Sequence, residues 1–405
     1  MQNLVKPTSK IDSDKKRGVK ISVLVRQKMQ EIFTDHSEVT VIRSPGRINL
    51  IGEHTDYNNG FVMPGAINRY IYIAIALRRD FKANVLSLDF DEAVTFDTRR
   101  PERHKNSWAN YIIGVVNAFK ESGQELPGFD AVFSGDIPIG AGLSSSAALE
   151  TGFAFAIDSL LGLGLSKIEL SRLSQKAEND FVGVRCGIMD QFANLFGKEG
   201  HAIFLDTMNL NHEYVPFRPP DMSLLLCDSG VKHELASSEY NLRRQYTESG
   251  VSFLRNHFPG VNTLRDVNRD MLKILLNHGD RVIYEACDYV LEENERVKLS
   301  YDLLLRSDYL DWGKLLYESH KGLKEKYRVS CDELDFLVDT ASRIEGVVGA
   351  RMMGGGFGGC TLNLVYNHIV KEFKETIADK YSKHTGRSPV FYDVKLSNGT
   401  EIVNN

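Results

Sequence analysis

The chain has 405 residues, a formal net charge of −5 and a pI of about 6.2, with 42% hydrophobic and 25% charged residues. That length exceeds what one compact core normally holds and points to two domains of an ordinary soluble protein. The mild acidity excludes a broad basic face for nucleic acid and offers no bulk attraction to an anion, so any phosphate must be captured locally.

Residues 1–30 read as a polar tail and the start of a helix, with the Lys15-Lys16-Arg17 cluster in solvent. A helix is predicted over 21–33 and a short strand over 39–42, closed by a Ser-Pro-Gly-Arg turn. The run 70–78 is β-branched and aromatic with apolar residues on both faces, as a buried strand would be. A β-like pattern over 84–96 is broken at Asp89 and Asp91. A helix follows over 108–120, closed by Gly123. A strand at 130–133 leads to a turn at 135–138, and helices are predicted over 146–161 and 168–180. In the second half, a strand at 224–228 precedes a charged helix at 239–253 and amphipathic helices to about residue 344. Residues 347–353 lead into a glycine cluster, with a strand over 360–366 beyond it. The Pro/polar stretch 216–221 is the linker candidate. The expected division is therefore 31–210 for an N-terminal domain and 211–405 for a C-terminal one.

The five cysteines, Cys186, Cys227, Cys287, Cys331 and Cys360, are dispersed without a C-x-x-C pair. That pattern reads as free thiols in a reducing compartment, so a cytoplasmic location is expected. No apolar run suits a membrane span, and the first twenty residues lack the apolar core of a secretory signal. Neither a membrane nor a nucleic-acid partner is expected, and a monomer is the default state.

The first chemical motif is PIGAGLSSSAALE, residues 138–150. Glycines and hydroxyl residues precede a strongly helical apolar segment. Glycine frees the backbone to turn its N–H groups toward an anion, and the helix adds unpaired donors and the positive end of its dipole. Such a cradle suits phosphate, and a serine hydroxyl there can also bind Mg²⁺. Helix capping alone would need one serine rather than three. No Walker G-x-x-x-x-G-K-[ST] run and no protein-kinase H-R-D or D-F-G pair occurs.

A second cluster, RMMGGGFGGC at 351–360, has five glycines within six positions. It mimics a dinucleotide fingerprint, but a strand rather than a helix follows, which excludes that reading. Close approach of backbone to a ligand or to the other glycine loop accounts for so many glycines better than a hairpin turn does. The third segment, residues 43–60, carries Arg47, Glu53, His54 and Asp56 among glycines. Donors and acceptors crowded into one loop match the hydroxyls of a polyol, and Arg47 can hold charge on a transferring phosphoryl group.

These three motifs, in this order, resemble the GHMP small-molecule kinases. Within them, GRINLIGEHTDYNNGFVMP at 46–64 resembles the galactokinase signature nearly residue for residue. AENDFVGVRCGIMDQF at 177–192 and KHELASSEYNLRR at 232–244 extend the likeness toward the C-terminus. The resemblance implies an α+β, two-domain GHMP kinase fold: an N-terminal domain like ribosomal protein S5 domain 2 that binds sugar and ATP, a ferredoxin-like C-terminal domain, and an active site between them. It implies ATP as co-substrate, Mg²⁺ as cofactor and D-galactose as acceptor at its C1 hydroxyl, the first committed step of galactose catabolism.

By the same resemblance, Asp190 and Arg47 are the catalytic residues. Arg47, Glu53, His54, Asp56, Gly187, Asp190 and Tyr240 surround the sugar. Pro138, Gly140, Gly142, Leu143, Ser144, Ser145, Ser146 and Ala147, with Gly355 and Gly356, hold ATP. Ser146 and Glu178 bind the metal. Two departures stand near these motifs: Gly65-Ala66 where many relatives have Ala-Ala, and Arg185 where many have Pro. Two other readings remain open, a kinase for a related sugar such as N-acetylgalactosamine and a silent sugar sensor. The intact phosphate loop and Asp190 favour an enzyme.

Overall fold

The computed structural model describes residues 9–231, 236–278 and 280–403. Residues 232–235, the start of the KHELASSEYNLRR run, lie outside them. The first half of the chain runs α1 (Ser9–Ile32), β1 (Thr40–Asn49), β2 (Phe61–Val62), β3 (Pro64–Leu77), β4 (Lys82–Ser87), β5 (Glu92–Asp97), α2 (Ser107–Glu121), β6 (Phe129–Gly135), α3 (Ser145–Leu161), α4 (Lys167–Lys176), α5 (Met189–Phe196), β7 (His201–Asp206) and β8 (His212–Pro216). The second half runs β9 (Met222–Asp228), α6 (Ala236–His257), α7 (Arg269–Asn277), α8 (Arg281–Leu305), α9 (Tyr309–Gly322), α10 (Asp332–Ala341), β10 (Val347–Met352), β11 (Cys360–Tyr366), α11 (Val370–Thr385), β12 (Val390–Val394) and β13 (Glu401–Ile402).

A six-stranded sheet has the order β13-β1-β3-β6-β4-β5, and a four-stranded sheet the order β10-β11-β9-β12. A three-stranded sheet, β2-β7-β8, completes the strands named above. Strand β3 is buried on both faces, as its composition predicts. Ile71, Ile73 and Ile75 join the core beneath α2 and α3, whereas Tyr72, Ala74 and Ala76 pack with Val25 and Met29 of α1. This is the period of two expected of a pleated strand.

Three expectations need correction. Helix α1 begins at Ser9, so the polar tail is shorter than the sequence suggested, and Arg17, which stays exposed, lies 3.4 Å from Asp136. The Ser-Pro-Gly-Arg segment is not a turn. Strand β1 continues through it, with the register against β3 shifting between Pro45 and Arg47. Proline is tolerated there because β13 pairs β1 only at Ile42 and Arg43, leaving that edge free beyond them. The helix read over 168–180 ends at Lys176 and continues as a π-helical turn, Ala177–Val182, a device common at functional sites. Strand β13 also returns from the C-terminus to the first sheet, which sequence patterning did not show.

Candidate functional site

The bulge in β1 turns the backbone of Arg47 toward the phosphate loop, where its N–H donates to the Leu143 carbonyl at 3.2 Å. Its guanidinium donates from Nη1 to the Gly142 carbonyl at 2.6 Å, and from Nε and Nη2 to both oxygens of Asp190 at 2.7 Å each. Burial opposes the charge on Arg47. Attraction and hydrogen bonds from Asp190, with help from Glu53 and Asp56, overcome it and hold the guanidinium above its ordinary pKa. Asp190 sits in the first turn of α5. Its carboxylate also accepts the Ser144 hydroxyl proton.

Residues 136–144 connect β6 to α3 and include Pro138 and Gly140. The backbone has φ +81° at Gly140 and +75° at Gly142, the left-handed region that glycine enters without strain. Ser144 stands at the N-cap of α3 but makes no capping bond, its hydroxyl being committed to Asp190. The capping explanation for the serines therefore fails, and the first-turn amides keep their capacity for an anion. Ser145 and Ser146 open the helix and are half-buried. Leu143 and Ala147 are buried in the core, which leaves only their backbone to meet a ligand.

The glycine cluster lies against this loop. A Cβ placed on Gly354 would stand 3.4 Å from the Gly142 carbonyl, and one on Gly359 3.4 Å from the Ala141 carbonyl. Gly355 borders the neighbouring pocket beside Tyr240. Gly356 faces elsewhere: a Cβ there would fall 2.1 Å from the Val329 carbonyl, so its requirement for glycine is one of packing.

Arg47, Glu53, His54, Asp56, Glu178, Gly187, Asp190, Tyr240, Gly354 and Gly355 converge on one cavity of about 140 Å³, walled also by Val184, Cys186 and Met189. Seven polar or charged side chains line it alongside apolar and backbone surface, and it suits a small ligand carrying several hydroxyls. Glu53 is fully buried. It accepts from Gly354 N at 2.7 Å and from the Asn49 amide, and lies 3.1 Å from the buried Arg351 guanidinium. Burial still pushes its pKa above the ordinary value.

His54 adopts φ +62° and joins Tyr57 Oη through Nδ1 at 2.7 Å. Its ring packs 4.9 Å from Tyr327 and 5.3 Å from Tyr240. Its Nε2, beside the Gly355 backbone, is buried without a well-formed hydrogen bond in the protein. Burial pushes its pKa down to about 3, so the imidazole is neutral at physiological pH. Asp56 is pushed up to about 7, first by burial and then by the like charge of Asp190. Gly187 is required by Asp56, because a Cβ there would fall 2.0 Å from Asp56 Oδ2.

On the other side of Asp190, the π-helical turn supplies Glu178. It accepts from Gln191 Nε2 at 2.7 Å and from the Ser146 hydroxyl. Burial, and then Asp190, push Glu178 up to about 7. Buried Glu150 lies behind it, held well above the ordinary range by burial and by Glu178. Carboxylate and hydroxyl oxygens facing one another beside a phosphate loop are hard donors of the kind Mg²⁺ takes.

Sequence reasoning passed over several residues of this site. Arg351 anchors Glu53 and the Asn49 and Leu50 carbonyls. Its place directly before the glycine cluster was the available signal. Tyr57 lies three residues from its partner His54 within the recognition segment, whereas Tyr327 gave no signal because it meets Tyr57 across 270 positions. The two departures from the family pattern lie outside the cavity wall. Gly65 accommodates Leu396, and Arg185 pairs with Glu248 of α6 at 3.0 Å.

Comparison with known proteins agrees with this geometry. Residues 27–77 match the galactokinase galactose-binding signature. Residues 110–198 match the GHMP kinases N terminal domain, and residues 300–383 the GHMP kinases C terminal model. Galactokinase from Thermotoga maritima is 43% identical over 362 residues, covering 89% of this chain and 99% of the relative. Galactokinase from Roseiflexus sp. is 40% identical over 375 residues, covering 93% and 95%. The crystal structure of Lactococcus lactis galactokinase complexed with galactose superposes with a TM-score of 0.90 at 35% identity, covering 94% of this chain and 99% of that one. Mevalonate kinase from Methanococcus jannaschii, at 18% identity, covers 90% of this chain and 100% of that one and shares the fold with a TM-score of 0.59. The chain is a two-domain GHMP kinase and belongs to the galactokinase family.

Proposed function

We propose that this enzyme transfers the γ-phosphoryl group of ATP to the C1 hydroxyl of D-galactose, giving α-D-galactose 1-phosphate and ADP in the cytoplasm. The observation that carries the reading is the polar cavity in which Glu53, His54, Asp56 and Asp190 meet directly beside the phosphate loop. The curated galactokinases and the galactose complex among its relatives name the sugar. His54, its Nε2 beside the Gly355 backbone, is a polar group of the cavity wall that a sugar hydroxyl could meet. The cysteines of the described residues are free thiols, as a reducing compartment requires.

In this reading the amides of residues 140–147 hold the ATP phosphates. Arg47 neutralises charge growing on the transferring group. Asp190 accepts the C1 proton while orienting that oxygen toward the γ-phosphorus. Arg47 and Ser144 donate to the carboxylate oxygens of Asp190 and hold the group in place for that step. Ser146 and Glu178 would hold Mg²⁺, which when bound offsets phosphate charge.

A coupled ADP-release assay across galactose, N-acetylgalactosamine, glucose, talose and arabinose tests the proposal. Turnover fastest on galactose supports it. Preference for N-acetylgalactosamine would reassign the sugar, and no turnover on any of them would leave a sensor.

A further inference from the structure

The loop that presents Glu53, His54 and Asp56 is not self-supporting. Between β1 and β2 it contains one 3-10 turn, Asp56–Asn58, and has positive φ at Gly52, His54 and Asn59. Backbone groups in such a segment need partners from elsewhere. Three of them find partners on a single helix.

Gly52 N donates to Glu293 Oε1 at 3.0 Å, and Phe61 N to Asn294 Oδ1 at 2.7 Å. The Glu53 carbonyl accepts the Tyr289 hydroxyl at 3.0 Å. Tyr289, Glu293, Asn294 and Val297 share one face of α8, at the spacing a helix requires. The face is built to hold its position. Glu293 has no solvent exposure and also accepts from Ser319 Oγ at 2.7 Å and Arg296 Nε at 2.6 Å.

The two glycines that bound the sugar loop are required partly by this helix and partly by the loop's own backbone, Phe61 O lying 2.8 Å from a Cβ on Gly52 and Thr55 O 2.8 Å from one on Gly60. A Cβ on Gly52 would meet Val297 Cγ2 at 2.9 Å, and one on Gly60 would meet Asn294 Oδ1 at 2.4 Å. Both glycines let α8 approach the loop backbone. Neither Glu293 nor Asn294 borders the cavity.

We infer that Tyr289, Glu293 and Asn294 are positioning residues for sugar selection: α8 clamps both ends of the recognition loop and so fixes the directions of Glu53, His54 and Asp56. The clamp acts on the sugar half of the site alone. The phosphate loop is held by Arg47 and the glycine cluster, without α8. The inference rests on the sugar-binding reading of that loop.

The test compares the whole enzyme with Asn294→Ala, Asn294→Asp and Tyr289→Phe, measuring KM for galactose and for ATP, kcat, and the thermal midpoint. Asn294→Ala strands the Phe61 N–H and is expected to raise galactose KM roughly ten- to a hundredfold, with ATP KM changed by less than about twofold. Tyr289→Phe, which removes one hydroxyl and nothing else, raises galactose KM severalfold and keeps the measurement available if the alanine variant does not fold. Asn294→Asp retains an acceptor for the Phe61 N–H. It should recover most of the lost affinity. A lowered midpoint with unchanged galactose KM in both Asn294→Ala and Tyr289→Phe overturns the inference, as does a parallel rise in both KM values. Wild-type enzyme that turns over no galactose overturns the functional reading itself, a result distinguishable from either.

Discussion

Arg47 and Asp190 form a bidentate pair in which both hydrogen bonds measure 2.7 Å, across 143 positions of sequence. The same guanidinium also bonds the Gly142 carbonyl, so one side chain ties the carboxylate to the phosphate loop. A fork of this kind cannot be reproduced by lysine. Arg47→Lys is expected to lower kcat by about 10²-fold or more with ATP affinity little changed. Asp190→Ala should abolish measurable turnover while galactose and ATP still bind by calorimetry. Asp190→Asn, which keeps the shape but not the base, should lose about 10²–10⁴-fold in kcat. Near wild-type kcat in the asparagine variant would remove Asp190 from proton transfer.

Asp56 provides a pH signature. Its pKa is raised from 3.8 to about 7 by burial and by Asp190. The folded protein therefore holds a proton that the unfolded chain has released, and stability falls as pH rises from about 4 through 7. Asp56→Asn removes that cost. Its melting midpoint should gain on wild type at pH 8 and not at pH 4. The ionised carboxylate accepts sugar hydroxyls, so wild-type galactose KM should fall between pH 6 and 8, and this slope should flatten in Asp56→Asn, with Glu178, also raised to about 7, contributing what remains. His54, neutral across this range, contributes nothing to it.

Gly187 is held to glycine by one neighbour. A methyl group there would overlap Asp56 Oδ2 at 2.0 Å and force that carboxylate out of the cavity wall. Gly187→Ala is expected to raise galactose KM by about tenfold or more while ATP KM moves little. An unchanged galactose KM would mean that Asp56 does not contact the sugar.

Ser146 and Glu178 are hydrogen-bonded to each other at the start of α3. Ser146→Ala removes one hard oxygen from that pair. The Mg²⁺ concentration for half-maximal rate should rise severalfold at fixed ATP, with galactose KM unaffected. A Mg²⁺ requirement identical to wild type would exclude Ser146 as a ligand.

Local patterns made much of the fold legible. The strand predicted after the glycine cluster appears as β11, because an apolar, β-branched run follows a segment that cannot itself be regular. The Ser-Pro-Gly-Arg stretch misled because proline and glycine usually end a strand, whereas here pairing with β3 carries the chain through a bulge. Strand β13 is two residues long, too short for any periodicity to reveal. The site motifs were readable because their residues cluster in sequence. Glu293 and Asn294 were not, since each meets its partner on the sugar loop across more than two hundred residues.

The measurement that bears most directly on the central claim is phosphorus NMR of the product formed from galactose and MgATP by the purified protein. The account predicts a single sugar phosphate whose phosphorus couples to the anomeric proton in the α configuration, with ADP released in equal amount. Phosphate on another hydroxyl, or ADP release without a sugar phosphate, would contradict it.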